Sequence, residues 1–129
     1  ELLQRKDCPP QIEIHRINRD GDKYLERNEM AERFANWKDF NDVLRRGRIK
    51  CSVFVWDVGR NCRRDRIHDR YLITNLLGIA LQDGLDEDEA GRKTAWARLT
   101  CKDRDEIQTE YDRNSTSHTL AFEPFCIPD

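Results

Sequence analysis

The sequence predicts an α/β fold with a mixed sheet flanked by helices, and three stretches carry that expectation. Gln11 to Ile17 alternates, with Ile12 and Ile14 on one face and His15 and Ile17 on the other, as a strand does. From Asn28 to Gly47, Met30, Phe34, Trp37, Phe40 (or Asn41) and Leu44 recur at three- and four-residue steps, which is helical spacing. Cys51 to Val58 is apolar on both faces, the pattern of a central strand covered above and below. Strand, helix and strand in that order imply a parallel pair joined by a right-handed crossover.

The remaining elements follow from local chemistry. Cys8-Pro9-Pro10 punctuates the chain before the first strand, and Asn18-Arg19-Asp20-Gly21-Asp22 has turn composition. Asn28 is the expected helix N-cap, and the helix ends near Arg45-Arg46-Gly47, with cations in its last turn and glycine after it. Lys38-Asp39 marks a brief interruption. Tyr71 to Thr74 and Gly78 to Leu81 read as two strands joined across Asn75-Leu76-Leu77. Thr94 to Leu99 is compatible with helix or strand. Lys102 to Asp112 reads as a polar helix or turn, and Thr119 to Phe125 as a last strand. No internal repeat or low-complexity tract is present.

At 129 residues the chain is expected to form one domain, 1–129, with a modest core. Charged residues make up 37% of it, yet the formal net charge is only −2. That balance argues against a general nucleic-acid coat, which needs a clear basic excess. Charge is instead local. Arg60, Arg63, Arg64, Arg66 and Arg70 face only Asp65 and Asp69 within their stretch, whereas Asp83, Asp86, Glu87, Asp88 and Glu89 have no cation among them.

The five cysteines are scattered, with no CxxC or HxxxH spacing, so neither a zinc site nor a disulfide framework is signalled. Cys51 reads as a small core residue. A reducing cytoplasm is the expected compartment, and neither a signal peptide nor an apolar run of spanning length occurs. Asn114-Ser115-Thr116 matches a glycosylation sequon, a frequent chance match. The start at Glu1 suggests a domain excised from a larger protein.

The chemistry concentrates in Ile67 to Asn75. On a strand, His68 and Arg70 would share one face about 7 Å apart at Cα. An imidazole beside a guanidinium suits one phosphate, as a grip or as a nucleophile-plus-cation pair. The plain alternative is a half-buried strand whose His68 and Arg70 meet nearby carboxylates such as Asp65 or Asp86. Context favours the grip, because a buried strand and a basic loop precede the pair and a tight hairpin follows it. A phosphate site needs cations converging from fixed backbone.

Three other constellations compete. Asn18, Asp20, Asp22 and Glu29 fall on positions one, three, five and twelve of a calcium loop, but Lys23 occupies the sixth, where glycine is needed and a cation opposes calcium. A polar turn leading into a helix explains the same letters. The arginines from Arg60 to Arg66 are either a solvated loop offset by Asp83 to Glu89 or the rim of an anion site. Trp37, Trp56 and Trp96 with Tyr24, Tyr71 and Tyr111 could form a base-stacking platform, but Trp37 and Trp56 sit at core-like positions, where burial is expected.

At His68-Asp69-Arg70 the sequence resembles the phospholipase D-like superfamily, whose signature is a strand bearing His, any residue, Lys, then Asp after four more residues and a glycine-rich turn further on. His68 matches the histidine; Arg70 stands where lysine is usual and Asn75 where aspartate is usual. The likeness is closer to a degenerate branch, the C-terminal domain of MIT-domain-containing proteins, with a similar His-Asp-Arg strand, a glycine after the hairpin and a Gly-Leu-Asp ending, here Gly84-Leu85-Asp86. The order of strand, helix, strand and His-bearing hairpin extends the likeness loosely over the first two thirds of the chain.

The resemblance implies one half of a phospholipase D-like fold and no cofactor. In active members the histidine attacks phosphorus, a second copy's histidine protonates the leaving oxygen, and lysines hold the nonbridging oxygens. Arg70 can replace lysine as a bidentate clamp. Asn75 keeps hydrogen bonding but loses the charge that favours a protonated imidazole. Neither His15 nor His118 has the neighbouring cation and hairpin of a second motif. The reading is therefore a phosphate- or phosphodiester-binding module, with His68 and Arg70 as the grip, Asn75 as neutral partner, Arg66 and Arg64 steering the ligand, and Asp86 at the site's edge. In the degenerate branch the resemblance implies anionic lipid headgroups as ligand; nucleic acid is the other phosphate-bearing candidate. The alternative is a homodimeric phosphodiesterase or nuclease, with His68 as nucleophile and, across the dimer, as acid. A protein-interaction scaffold is a third class.

Overall fold

The computed structural model of the chain describes residues 11–18, 23–57, 70–74, 76–81 and 96–128. It is a mixed α/β structure with three helices, a mixed four-stranded sheet and a small antiparallel sheet. Internal contacts divide the chain into two compact units, Glu1–Val58 with Thr119–Asp129, and Gly59–His118.

In the first unit, β1 (Gln11–Ile17) runs parallel to β2 (Lys50–Asp57), in register from Gln11 with Lys50 to Ile17 with Trp56. Between them lie α1 (Arg27–Ala35) and α2 (Lys38–Gly47). The parallel pair around a helical crossover is what the sequence order implies. On its other side β2 pairs antiparallel with β6 (Thr119–Leu120) and β7 (Phe125–Ile127), which makes it the central strand. The expected single strand from Thr119 to Phe125 is thus two short strands. Residues 121–124, which include Pro124 with no N–H to donate, lie between them.

Alternation on β2 sorts its side chains. Cys51, Val53 and Val55 are buried and form the core with Leu25, Met30, Phe34, Leu44, Phe125 and Ile127. Each of these aliphatic, methionine and phenylalanine side chains contributes about 1.5–3 kcal/mol by leaving water. Burial pushes the Cys51 thiol up to about 11, helped by Cys126 and Glu13 nearby, so it stays a neutral core group as its apolar setting implies.

The helical stretch departs from the sequence expectation at three points. Its start is capped by Glu26, not Asn28: the Glu26 and Glu29 side chains each take the other's end of the turn, and Glu29 Oε2 accepts from the Glu26 N–H at 2.9 Å. Its interruption falls at Asn36–Trp37, just ahead of Lys38. There the buried Asn41 side-chain amide donates to the Phe34 and Trp37 carbonyls at 2.8 and 2.9 Å, a second donor for each beside the Trp37 and Asn41 backbone N–H groups. The break changes the phase of the periodicity. Phe34 and Leu44 are buried, while Trp37, expected in the core, is 48% exposed. Finally, Gly47 is the last helical residue and Arg48 takes the left-handed turn at φ 51°. Glycine serves there for space, since a Cβ on residue 47 would lie 2.9 Å from Ile49 Cδ1.

In the second unit, β3 (Arg70–Ile73), β4 (Gly78–Leu81) and β5 (Trp96–Arg98) form an antiparallel sheet in that order. The two strands expected across Asn75-Leu76-Leu77 are the first pair, and the ambiguous stretch near Thr94 is a strand. The polar helix expected from Lys102 is α3 (Cys101–Glu110), whose Thr100 side chain accepts from the Asp103 N–H at 3.1 Å. Gly78 lets this layer close: a Cβ there would meet Leu99 Cδ1 at 2.9 Å and Arg104 Cγ at 3.2 Å.

Candidate functional site

The hairpin holding the sequence-singled residues is built from backbone upward. Arg70 opens β3 and is paired with Leu81, followed by Tyr71 with Ala80, Leu72 with Ile79, and Ile73 with Gly78. Thr74 closes the turn. Its N–H donates to the Leu77 carbonyl at 2.8 Å, and its hydroxyl oxygen accepts from the Leu76 and Leu77 N–H groups. β5 braces the far side of β4, with Ile79 opposite Arg98, Ala80 opposite Ala97 and Leu81 opposite Trp96. Arg70 therefore stands on backbone fixed by a three-stranded sheet. His68, Arg64, Arg66, Asn75 and Asp86 lie outside the described residues, as does the Arg70 side chain.

The two other histidines have assigned partners. The Trp56 indole N–H donates to His15 Nδ1 at 3.1 Å, and an indole N–H can only donate, so Nδ1 is bare. The proton is then on Nε2, directed at Glu13 Oε2 3.2 Å away. The His15 ring also stacks on Phe54, with centroids 4.8 Å apart. His118 Nε2 lies 2.9 Å from Glu110 Oε1, and its ring stacks on Tyr111. Both histidines thus have a carboxylate partner.

The calcium-loop reading fails on the flanking structure. A strand, β1, precedes Asn18 where a calcium loop requires an incoming helix. At the loop's described ends, Asn18 Oδ1 accepts from the Leu25 N–H at 3.0 Å, and Glu29 is occupied in the α1 cap. Residues 19–22 lie outside the described residues. Among the described residues no group of three or more His, Cys, Asp and Glu side chains is arranged to hold a metal ion.

A groove of about 720 Å³ beside α3 is lined by Lys102, Asp105, Glu106, Thr109, Glu110 and Ser117. With three carboxylates against one ammonium, its sign opposes an oxyanion ligand. Arg104 is turned to structure: its hydrogen bond to Asp105 at 2.8 Å raises its already high proton affinity and helps hold the guanidinium on α3. No described helix is long and apolar enough to cross a membrane.

Sequence reasoning left β5 undecided between helix and strand and did not single out Arg98. Trp96 is 59% exposed and Arg98 is exposed two residues later on the same strand face. The available signal was the Trp-x-Arg alternation itself, hidden because Thr94 to Leu99 is short enough to read either way. Comparison with protein-family models, curated proteins and solved structures finds no match to this chain.

Proposed function

We propose that the protein is a phosphate- or phosphodiester-binding module built on one half of a phospholipase D-like fold. His68 and Arg70 form the anion grip, and Asn75 is its neutral hydrogen-bonding partner. Arg66 and Arg64 steer the ligand, and Asp86 borders the site. The observation that supports this reading best is the hairpin register, because it starts at Arg70 and fixes the backbone from which a guanidinium must approach an oxyanion. The parallel β1–β2 pair with its helical crossover, ahead of that hairpin, agrees with the element order of the resembling family. The module works in the cytoplasm and binds without turnover, since Asn75 lacks the charge of the usual aspartate.

The test is direct binding of tungstate or inorganic phosphate to wild type, His68→Ala and Arg70→Ala. Saturable binding lost in both variants supports the grip; binding unchanged in both overturns it. A parallel phosphodiesterase and nuclease assay decides turnover. Hydrolysis abolished by His68→Ala, in a chain that sediments as a dimer, would make the protein an enzyme and replace the binding-only reading.

A further inference from the structure

We propose that His15 is a proton-operated latch on the first unit's sheet: neutral, it holds the buried Trp56 indole; protonated, it lets that indole go. The inference goes beyond the anion-binding reading and does not depend on it. Trp56 is 2% exposed, and its indole N–H, which can only donate, points at His15 Nδ1 3.1 Å away. That bond needs the Nδ1 lone pair. The other nitrogen, Nε2, directs the ring's proton at Glu13 Oε2, 3.2 Å away. The ring lies flat on Phe54, with planes 4° apart, and nearly parallel to the indole, at 11°.

A second proton changes this arrangement at one atom. An imidazolium carries N–H on both nitrogens. Nδ1 then presents a donor to a donor, and the bond to Trp56 becomes a repulsion. Glu13 keeps its contact, since Nε2–H donates in either state and the added charge strengthens it. The ring therefore stays with Glu13 on β1 and parts from Trp56 on β2. Among the described residues of this sheet, the titratable or charged groups on the same face are Glu13 beside the ring, Cys126 opposite Ser52, and Lys50 opposite Gln11. Histidine is the side chain suited to such an exchange near neutral pH.

The place of Trp56 gives the latch its reach. Trp56 stands opposite Ile17 on β1 and Leu120 on β6, and its carbonyl accepts from the Asn18 N–H at 2.8 Å. One position back, the Val55 carbonyl accepts from the Ala121 N–H at 2.8 Å. Release of the indole thus acts at the end of the sheet where the chain leaves β2 and returns through β6.

The experiment is heteronuclear NMR of the full chain, following the tryptophan indole N–H signals and the His15 ring from about pH 8 to about pH 5. The Trp56 signal should move with the same midpoint as the His15 ring, while those of the exposed Trp37 and Trp96 stay in place. Over the same range, amide exchange corrected for its intrinsic pH dependence should show protection at Asn18 and Ala121 falling about fivefold, the equivalent of one hydrogen bond. His15→Asn offers an acceptor oxygen near the Nδ1 position that takes up no proton, and should abolish the movement. Glu13→Gln should preserve it, because Glu13 touches the other nitrogen. A Trp56 signal that stays fixed while His15 titrates overturns the inference, and so does a His15 ring that keeps one state throughout. Movement that persists in His15→Asn, or vanishes in Glu13→Gln, overturns it too.

Discussion

The two units bury their residues very differently. In the first, a seven-residue strand pair, two helices and the short strands β6 and β7 enclose Met30, Phe34, Leu44, Cys51, Val53 and Val55 almost completely. In the second, Leu81 is the one buried hydrophobic among the described residues, α3 buries none of its own, and Leu72, Leu76 and Trp96 are mostly exposed. Stability is therefore expected to concentrate in the first unit and ligand-facing surface in the second. That division is physically economical, because sites that must meet a ligand are drawn from the less stable parts of a fold.

The sharpest way to break the comparison is to open the first unit's core. Phe34→Ala removes a fully buried ring that touches Phe125 edge-on, and should cost about 3–5 kcal/mol in urea unfolding. A cost under about 1 kcal/mol would mean the core is not where the stability lies. Asn41→Ala is expected to cost about 1 kcal/mol, since it deletes the buried amide's hydrogen bonds to the Phe34 and Trp37 carbonyls while each keeps its backbone donor. The same measurement checks it.

In the second unit, Thr100→Ala deletes the α3 cap and should cost about 1 kcal/mol. Native-state hydrogen exchange should locate that loss, with faster exchange in α3 and the small sheet and unchanged protection in β2. Equal acceleration in β2 would show that the units open as one. The smallest effect is a pH dependence. Because the Cys51 thiol is raised from 9.0 to about 11, the folded state holds its proton longer than the unfolded chain does. Its stabilising contribution is complete below pH 9 and is lost as pH climbs toward 11. Cys51→Ala should flatten that part of the stability profile, and wild-type Cys51 should react with a thiol reagent at pH 8 far more slowly than exposed Cys101 or Cys126.

How legible these features were depended on how locally each was encoded. The bounds of β1 could be read from Gln11 to Ile17 because period-two alternation is written in the residues themselves. The parallel pairing of β1 with β2 followed from element order. The helix break was read only to within two residues, at Lys38-Asp39, because its place at Asn36–Trp37 goes with an Asn41 amide reaching carbonyls of the preceding helix, and periodicity carries no record of side-chain reach. Trp37 was misplaced for the same reason. β6 and β7 looked like one strand because both are satisfied by the same neighbour, β2, at separate places along it. At the candidate site, the hairpin from Arg70 was legible from its β-branched and aromatic residues. The exposure of Trp96 was not, since it follows from strand order and from which face α3 covers.

One register pair has a further consequence. Asp57 and Thr119 face each other across β2 and β6, so the chain leaves and re-enters the first unit at adjacent points. Everything from residue 59 to residue 118 is thus topologically a graft set into a hairpin. Replacing it with an Asn-Gly turn should join two strand ends that already meet. The parent scaffold should then fold alone, free to accept other inserts in the same socket.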